Sequence, residues 1–182
     1  RAATKASRRS SPPSKWGISR ASFVRPLLHP RAPLLRPNRL ARGGDRMTLR
    51  RKSREFALQM LFEWDLGQQK PAQVEKHFWK SAKAVESTRK FARQLFEGAV
   101  EQAESNDKLV AKLAQNWKFD RLAAVDRNIL RLAIYELRAG TAPVKVVLDE
   151  AIELAKKFSS EDAPAFLNGV LDAAAKQIES AE

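Results

Sequence analysis

The sequence predicts an all-α protein, a compact bundle of six or seven helices. Three observations carry this. Past Met47, apolar residues recur at spacings of three and four in every long segment, the repeat that places them on one helical face. No run alternates apolar and polar residues with β-branched enrichment, as a half-buried strand requires. Glycines, prolines and short polar breaks divide the chain into pieces of helical length. With 182 residues, 43% of them hydrophobic, there is enough chain for one domain with a proper core.

The first helix is expected after Thr48, a good N-cap residue, and runs through RRKSREFALQMLFEWDL (Arg50–Leu66). Phe56, Ala57, Met60, Leu61 and Trp64 form its inward stripe, and Gly67 suits the position after its end. Pro71 starts a second helix to about Val85 with Val74, Phe78 and Trp79 inward, and His77 as a partly exposed residue rather than a ligand. Ser87 caps a third, Thr88–Glu104, carrying Phe91, Leu95, Phe96, Ala99 and Val100. Asn106 or Asp107 caps a fourth with Leu109, Val110 and Leu113.

Trp117-Lys118-Phe119 interrupts before Asp120, the expected cap of the longest helix, Arg121–Ala139. Its Leu122, Val125, Ile129, Leu130, Leu132, Ala133, Ile134 and Leu137 cover more than half the circumference, so it should lie centrally, packed from two sides. Gly140 stops it. Pro143 restarts a sixth helix through Phe158, with Val144, Val147, Leu148, Ala151, Ile152 and Ala155 inward. Ser159–Asp162 is a polar break; Asp162, as N-cap, and Pro164 start a seventh helix carrying Phe166, Leu167, Val170, Leu171 and Ala174.

The net charge of +13 is unevenly spread. Residues 1–46 hold 12 of the 34 Lys and Arg and a single acid, Asp45, so residues 47–182 are close to neutral. The same 46 residues hold six of the nine prolines and show no sustained helical period, the pattern of a disordered basic extension. Three readings account for it. The favoured one is an over-extended start, since the chain begins with Arg and Met47 directly precedes the helical pattern. The others are a basic arm that adds RNA affinity and an organellar leader. The expected division is therefore 1–46 as an extension and 47–182 as the folded domain.

Composition narrows the chemistry. There is no cysteine, and His29 and His77 are too few and too distant for a histidine metal site. No apolar run approaches the roughly 18 residues that span a bilayer. Glycine-rich phosphate loops, nucleophile elbows, HExxH and CxxC are all absent. Asp149/Glu150 is expected to be a solvated face and Glu161/Asp162 a capping segment; Glu150 and Glu153 are expected to pair on the surface with Lys156 and Lys157. No catalytic residue, cofactor or metal is predicted. What stands out is Arg50, Arg51, Lys52 and Arg54 near a helix N-terminus, where each cation costs about 0.3–1 kcal/mol at low salt. A local choice against stability points to a polyanionic ligand, with a merely solubilising charged end as the alternative.

Three segments carry a resemblance: RRKSREFALQMLFEWDL, VDRNILRLAIYEL (Val125–Leu137) and APVKVVLDEAIELAKKFSSEDAPAFLNGVLDAAA (Ala142–Ala175). In order and spacing they resemble the NusB family of bacterial transcription antitermination factors, over roughly Arg50–Ala175. The resemblance implies a helical bundle of two subdomains in a cytoplasmic protein. It implies binding of single-stranded boxA-type ribosomal RNA leaders together with the small-subunit ribosomal protein NusE. It further implies action with other Nus factors on elongating RNA polymerase. By position, Arg50, Arg51, Lys52 and Arg54 match the family's RNA-facing arginine-rich motif. Phe166 matches its final-helix aromatic, a stacking platform or a core residue; Asn168 is an RNA contact or a structural tie; Gly169 permits close approach of a helix or backbone.

This sequence departs from the family at Ala165, where a polar or basic residue is frequent, and at Ser159-Ser160, where glycine is common. Asp162 is a candidate modulator whose charge weakens phosphate binding if it lies beside the RNA. Two other functions stay open: the RNA-binding domain of an rRNA cytosine methyltransferase, and a helical protein adaptor that binds no RNA. The NusE surface, the RNA sequence preference and the oligomeric state are not legible in the sequence.

Overall fold

The computed structural model describes residues 43–67, 69–114 and 121–180, with side chains from residue 49 onward. Among these residues lie seven helices: α1 (Gly43–Gly67), α2 (Pro71–Ser81), α3 (Glu86–Glu101), α4 (Ala103–Leu113), α5 (Ala124–Ala139), α6 (Val144–Phe158) and α7 (Ala163–Glu179). The all-α prediction holds. So does the central helix: α5 packs against α1, α3, α4, α6 and α7, and Ile129, Leu130, Leu132, Ala133 and Ile134 are buried along it. The helices α1, α2 and α3 pack on one another, and α4, α6 and α7 gather around the rest of α5.

Several boundaries differ from expectation, each for a local reason. The helix α1 begins at Gly43, so Thr48 is not its cap, and Gly43–Arg46 are helical rather than part of an irregular leader. The cations at 50–54 therefore sit about two turns inside the helix, beyond the reach of the first-turn dipole, and the electrostatic conflict expected there does not arise. The helix α2 stops at Ser81 because Ala82 is extended. Only Gln102 separates α3 from α4. Asn106 and Asp107 thus lie within α4 instead of capping it. Their side chains are taken by α5: Asn106 Nδ2 donates to the Arg131 carbonyl at 3.2 Å, and Asp107 pairs with the Arg131 guanidinium. The Trp117–Phe119 interruption and the Asp120 cap lie outside the described residues.

At the end of α5, Gly140 adopts φ 59°, a left-handed conformation that only glycine takes without strain, and its N–H bonds back to Glu136. Asp162 does occupy the residue before α7, but its backbone is already helical (φ −84°, ψ −17°) and its side chain makes no capping bond. An effective cap needs extended backbone to aim its oxygen at the second or third N–H.

Two contacts fix how α2 packs on α1 and α3 on α5. Phe56, Phe78 and Trp79 meet edge to face at centroid distances of 4.9–5.5 Å, pinning α2 to α1. The helices α3 and α5 cross at Gly98, where a Cβ would lie 2.2 Å from the Tyr135 ring. Leu58, Met60, Leu61, Leu95 and Phe96 fill the interior beside this crossing, each burial stabilising by about 1.5–3 kcal/mol.

Candidate functional site

The helical period divides the four cations of α1. Arg54 shares the stripe of Ala57, Leu58 and Leu61 and points inward; Arg50, Arg51 and Lys52 point out. Arg54 is 3% exposed, and its Nε and Nη2 donate to the two oxygens of Glu136 at 2.8 Å each. Its Nη1 lies 3.8 Å from Glu150, and the Thr141 hydroxyl donates to Glu136 at 2.9 Å. This corrects the grouping of Arg54 with the RNA-facing cations. Its guanidinium is enclosed and bidentate, so it ties α1 to α5 and presents no surface to a phosphate.

The three outward cations are held as well, but remain open to solvent. Arg51 donates to Glu150 through Nη2 at 2.7 Å and Nε at 3.1 Å while 45% of its side chain is exposed. Arg50 donates to the Thr141 carbonyl at 3.2 Å and lies over the Phe91 ring. Lys52 donates to Glu55 at 3.0 Å and sits over Phe56. Glu55 also accepts from Lys157 of α6, whose side chain is 55% exposed. Burial works to raise the Glu55 carboxyl, but the hydrogen bonds from Lys157 and Lys52 outweigh it and hold the group below its ordinary value. Between α1 and α6, Arg51, Glu55, Glu150 and Lys157 line an open pocket of about 280 Å³, with Glu153, Leu154 and Lys156 completing its wall.

Here the sequence reading missed partners. Of the Asp149/Glu150 pair only Asp149 is solvated; Glu150 is 4% exposed and serves Arg51 and Arg54. The surface pairing of Lys156 with Glu153 is present, yet Lys157 reaches across to α1 instead. A clue was available. Glu150 falls in the stripe of Val147, Ala151 and Leu154, and Glu136 in that of Ile129 and Ala133. A carboxylate on an apolar face needs a buried cation.

The remaining candidates belong to the first turns of α7. Phe166 is half-buried, Asn168 and Asp162 are exposed, and nothing lies within 4 Å of where a Gly169 Cβ would stand. Ser159 fits where glycine is frequent because its φ is −117°. Its hydroxyl donates to Asp126, but burial dominates and pushes that carboxyl above its ordinary value. A second ionic cluster joins the other end of α1 to α4 and α5. Asp65 accepts from Arg127, from Arg131 at 2.7 Å and from Asn128 at 3.2 Å, and Arg131 also binds Asp107 at 2.6 and 2.7 Å.

Among the described residues, no group of carboxylates and histidines is placed to hold a metal ion, and no helix is long and apolar enough to cross a membrane. What the α1 edge offers is a row of fixed, half-exposed cations suited to a polyanion.

The NusB family model matches residues 51–176. A transcription antitermination protein NusB from Koribacter versatilis is 47% identical over 133 residues, 72% of this chain and 91% of that protein. The one from Solibacter usitatus is 40% identical over 134 residues, 72% of this chain and 92% of its own length. Among solved structures, NusB of T. maritima superposes with a TM-score of 0.64 at 32% identity, covering 70% of this chain and 91% of that one. A chain from a complex of the antitermination factors NusB and NusE with double-stranded RNA superposes with a TM-score of 0.63 at 31% identity, covering 72% and 98%.

Proposed function

This chain belongs to the NusB family, and we propose that it is a non-catalytic, RNA-binding transcription antitermination factor of the bacterial cytoplasm. It binds boxA-type leader RNA together with NusE and acts, with other Nus factors, on elongating RNA polymerase. One observation supports this most: the cations of the α1 edge are exposed yet fixed, each anchored on a carboxylate or carbonyl of the bundle. Fixed cations lose little freedom when they meet a phosphate row, which favours binding.

Roles follow from exposure. Arg50, Arg51 and Lys52 contact phosphates, and Arg54 positions them from inside. Phe166 and Asn168 meet the bases, by stacking and by hydrogen bonds to base edges. Asp162 makes no capping bond with its side chain, and its exposed negative charge opposes RNA. The relatives matched along nearly their whole length are antitermination proteins, which favours this reading over that of a methyltransferase domain.

The test is binding of the full chain to a boxA-type RNA and to a scrambled control, with and without NusE. Selective binding that NusE strengthens supports the proposal. Equal, weak binding to both RNAs at every NusE concentration overturns it in favour of a protein adaptor. The Arg50/Arg51→Ala variant keeps residues 1–46, so any affinity it loses belongs to the bundle.

A further inference from the structure

We propose that the pocket between α1 and α6 is a phosphate-binding subsite that carries the RNA surface across from α1, with Lys157 as its principal donor on α6. The inference rests on the RNA-binding reading above and adds a residue and an element to it. Four features of the site support it.

First, the pocket's rim is mainly cationic and its floor acidic. Arg51, Lys156 and Lys157 stand exposed at the rim, with Glu153 paired to Lys156 as the one carboxylate among them, while Glu55 and Glu150 are buried beneath. Second, each floor carboxylate is shared between two cations: Glu55 by Lys52 and Lys157, Glu150 by Arg51 and Arg54. With Arg50 and Lys52 alongside on α1, six cations (Arg50, Arg51, Lys52, Arg54, Lys156 and Lys157) face four carboxylates (Glu55, Glu136, Glu150 and Glu153), so the cluster as a whole keeps positive charge after its internal pairing. Third, the pairing leaves donors over. The Lys157 ammonium has three N–H groups and gives one to Glu55; Arg51 gives Nε and one Nη2 hydrogen to Glu150 and retains Nη1. An anion can therefore be bound without breaking any ion pair. Fourth, at about 280 Å³ the pocket has room for a phosphate and its ester oxygens.

Glu55 and Glu150 act through the cations and are positioning residues. Removing one has opposite effects on two kinds of binding. General attraction to RNA rises because a negative charge is gone, but the released cations no longer hold a fixed pattern and discrimination falls. A merely structural carboxylate would leave the ratio between RNAs unchanged.

The experiment measures affinity of the full chain for the boxA-type and scrambled RNAs across a salt series, for wild type, Lys157→Ala, Lys157→Arg, Lys176→Ala and Glu55→Gln. Each lost phosphate contact lowers the salt slope by about 0.7 for a single strand, which at 0.1 M salt is a loss of about fivefold. The subsite predicts that loss for Lys157→Ala, its recovery in Lys157→Arg, and none for Lys176→Ala on the exposed face of α7. It also predicts that Glu55→Gln lowers the boxA-to-scrambled ratio while raising scrambled binding. Lys157→Ala with wild-type affinity and slope overturns the subsite; the Lys157 side chain is 55% exposed, Lys52 still pairs with Glu55 in that variant, and Lys157→Arg keeps the cation in place. If wild type shows no preference for boxA, the functional reading fails instead, and the Lys157→Ala slope on scrambled RNA still decides whether the pocket holds a phosphate.

Discussion

The two halves of α1 carry opposite ionic arrangements. Toward its start, the helix supplies cations, and the bundle answers with Glu136 and Glu150; toward its end, it supplies Asp65, and the bundle answers with Arg127 and Arg131. At the second cluster the charges close on themselves: Asp65, Arg127, Arg131 and Asp107 all have less than a quarter of their side chains exposed. At the first, an enclosed pair, Arg54–Glu136, lies under cations about half exposed. One end is an internal fastening. The other is a fastening with an exposed cationic edge built on it. Burial, not residue type, separates the fastening arginine from those we propose to face RNA along a single helix.

The largest effects break the enclosed pairs at either end. Arg54→Ala strands Glu136 in the interior and should cost about 3–5 kcal/mol in urea unfolding, with RNA affinity falling as the edge loses its support. Arg131→Ala leaves Asp65 and Asp107 facing each other without their shared cation and should cost a similar amount, but the protein that remains folded should bind RNA as wild type does. If both variants lose RNA binding equally, the contrast between the two ends fails. Gly98→Ala, which touches no charged group, forces a methyl into the Tyr135 ring and should cost about 1–3 kcal/mol with no change in RNA selectivity.

The open end should behave in reverse. Arg50/Arg51→Ala should shift unfolding by only about 1 kcal/mol, the scale of surface pairs, while weakening RNA binding about fivefold for each lost phosphate contact at 0.1 M salt. Acidity sharpens the comparison. Burial works to raise Asp65, but hydrogen bonds from Arg131 and Arg127 prevail and its carboxyl lies below the ordinary value. Its stabilising contribution is therefore complete above the unfolded value of about 3.9 and is lost as pH falls through the lower folded value. Asp65→Asn should thus destabilise at neutral pH, and its unfolding midpoint should converge on that of wild type in acid.

Asp126 has the opposite sign. Burial raises its carboxyl, so the ionised form is a cost at neutral pH that disappears as pH falls through the folded value toward the unfolded one. Asp126→Asn should stabilise at neutral pH, with the advantage vanishing in acid. The smallest effect is at the exposed Lys176–Asp172 pair, where Lys176→Ala should stay within about 0.5 kcal/mol of wild type.

Much of this architecture was legible in the sequence. The apolar period located all seven helices and the central position of α5, and Gly140 marked its end, because both follow from local spacing and backbone freedom. Helix starts were less legible, since Asn106, Asp107 and Asp162 have capping chemistry but are used otherwise or held in helical backbone. The site was half legible. The arginine-rich motif was visible, but the division between Arg54 and its neighbours depends on Glu136, 82 residues away, and the role of Lys157 on Glu55, 102 residues away. Such pairings are set by how helices cross, which no local window contains.

The most direct measurement is a backbone amide shift map of the protein titrated with boxA-type RNA. The strongest shifts should fall at Arg50, Arg51 and Lys52 of α1, at Lys156 and Lys157 of α6, and around Phe166 and Asn168. Asp65, Arg127 and Arg131 should stay still. Shifts centred on the Asp65 cluster, with the start of α1 unmoved, would contradict it.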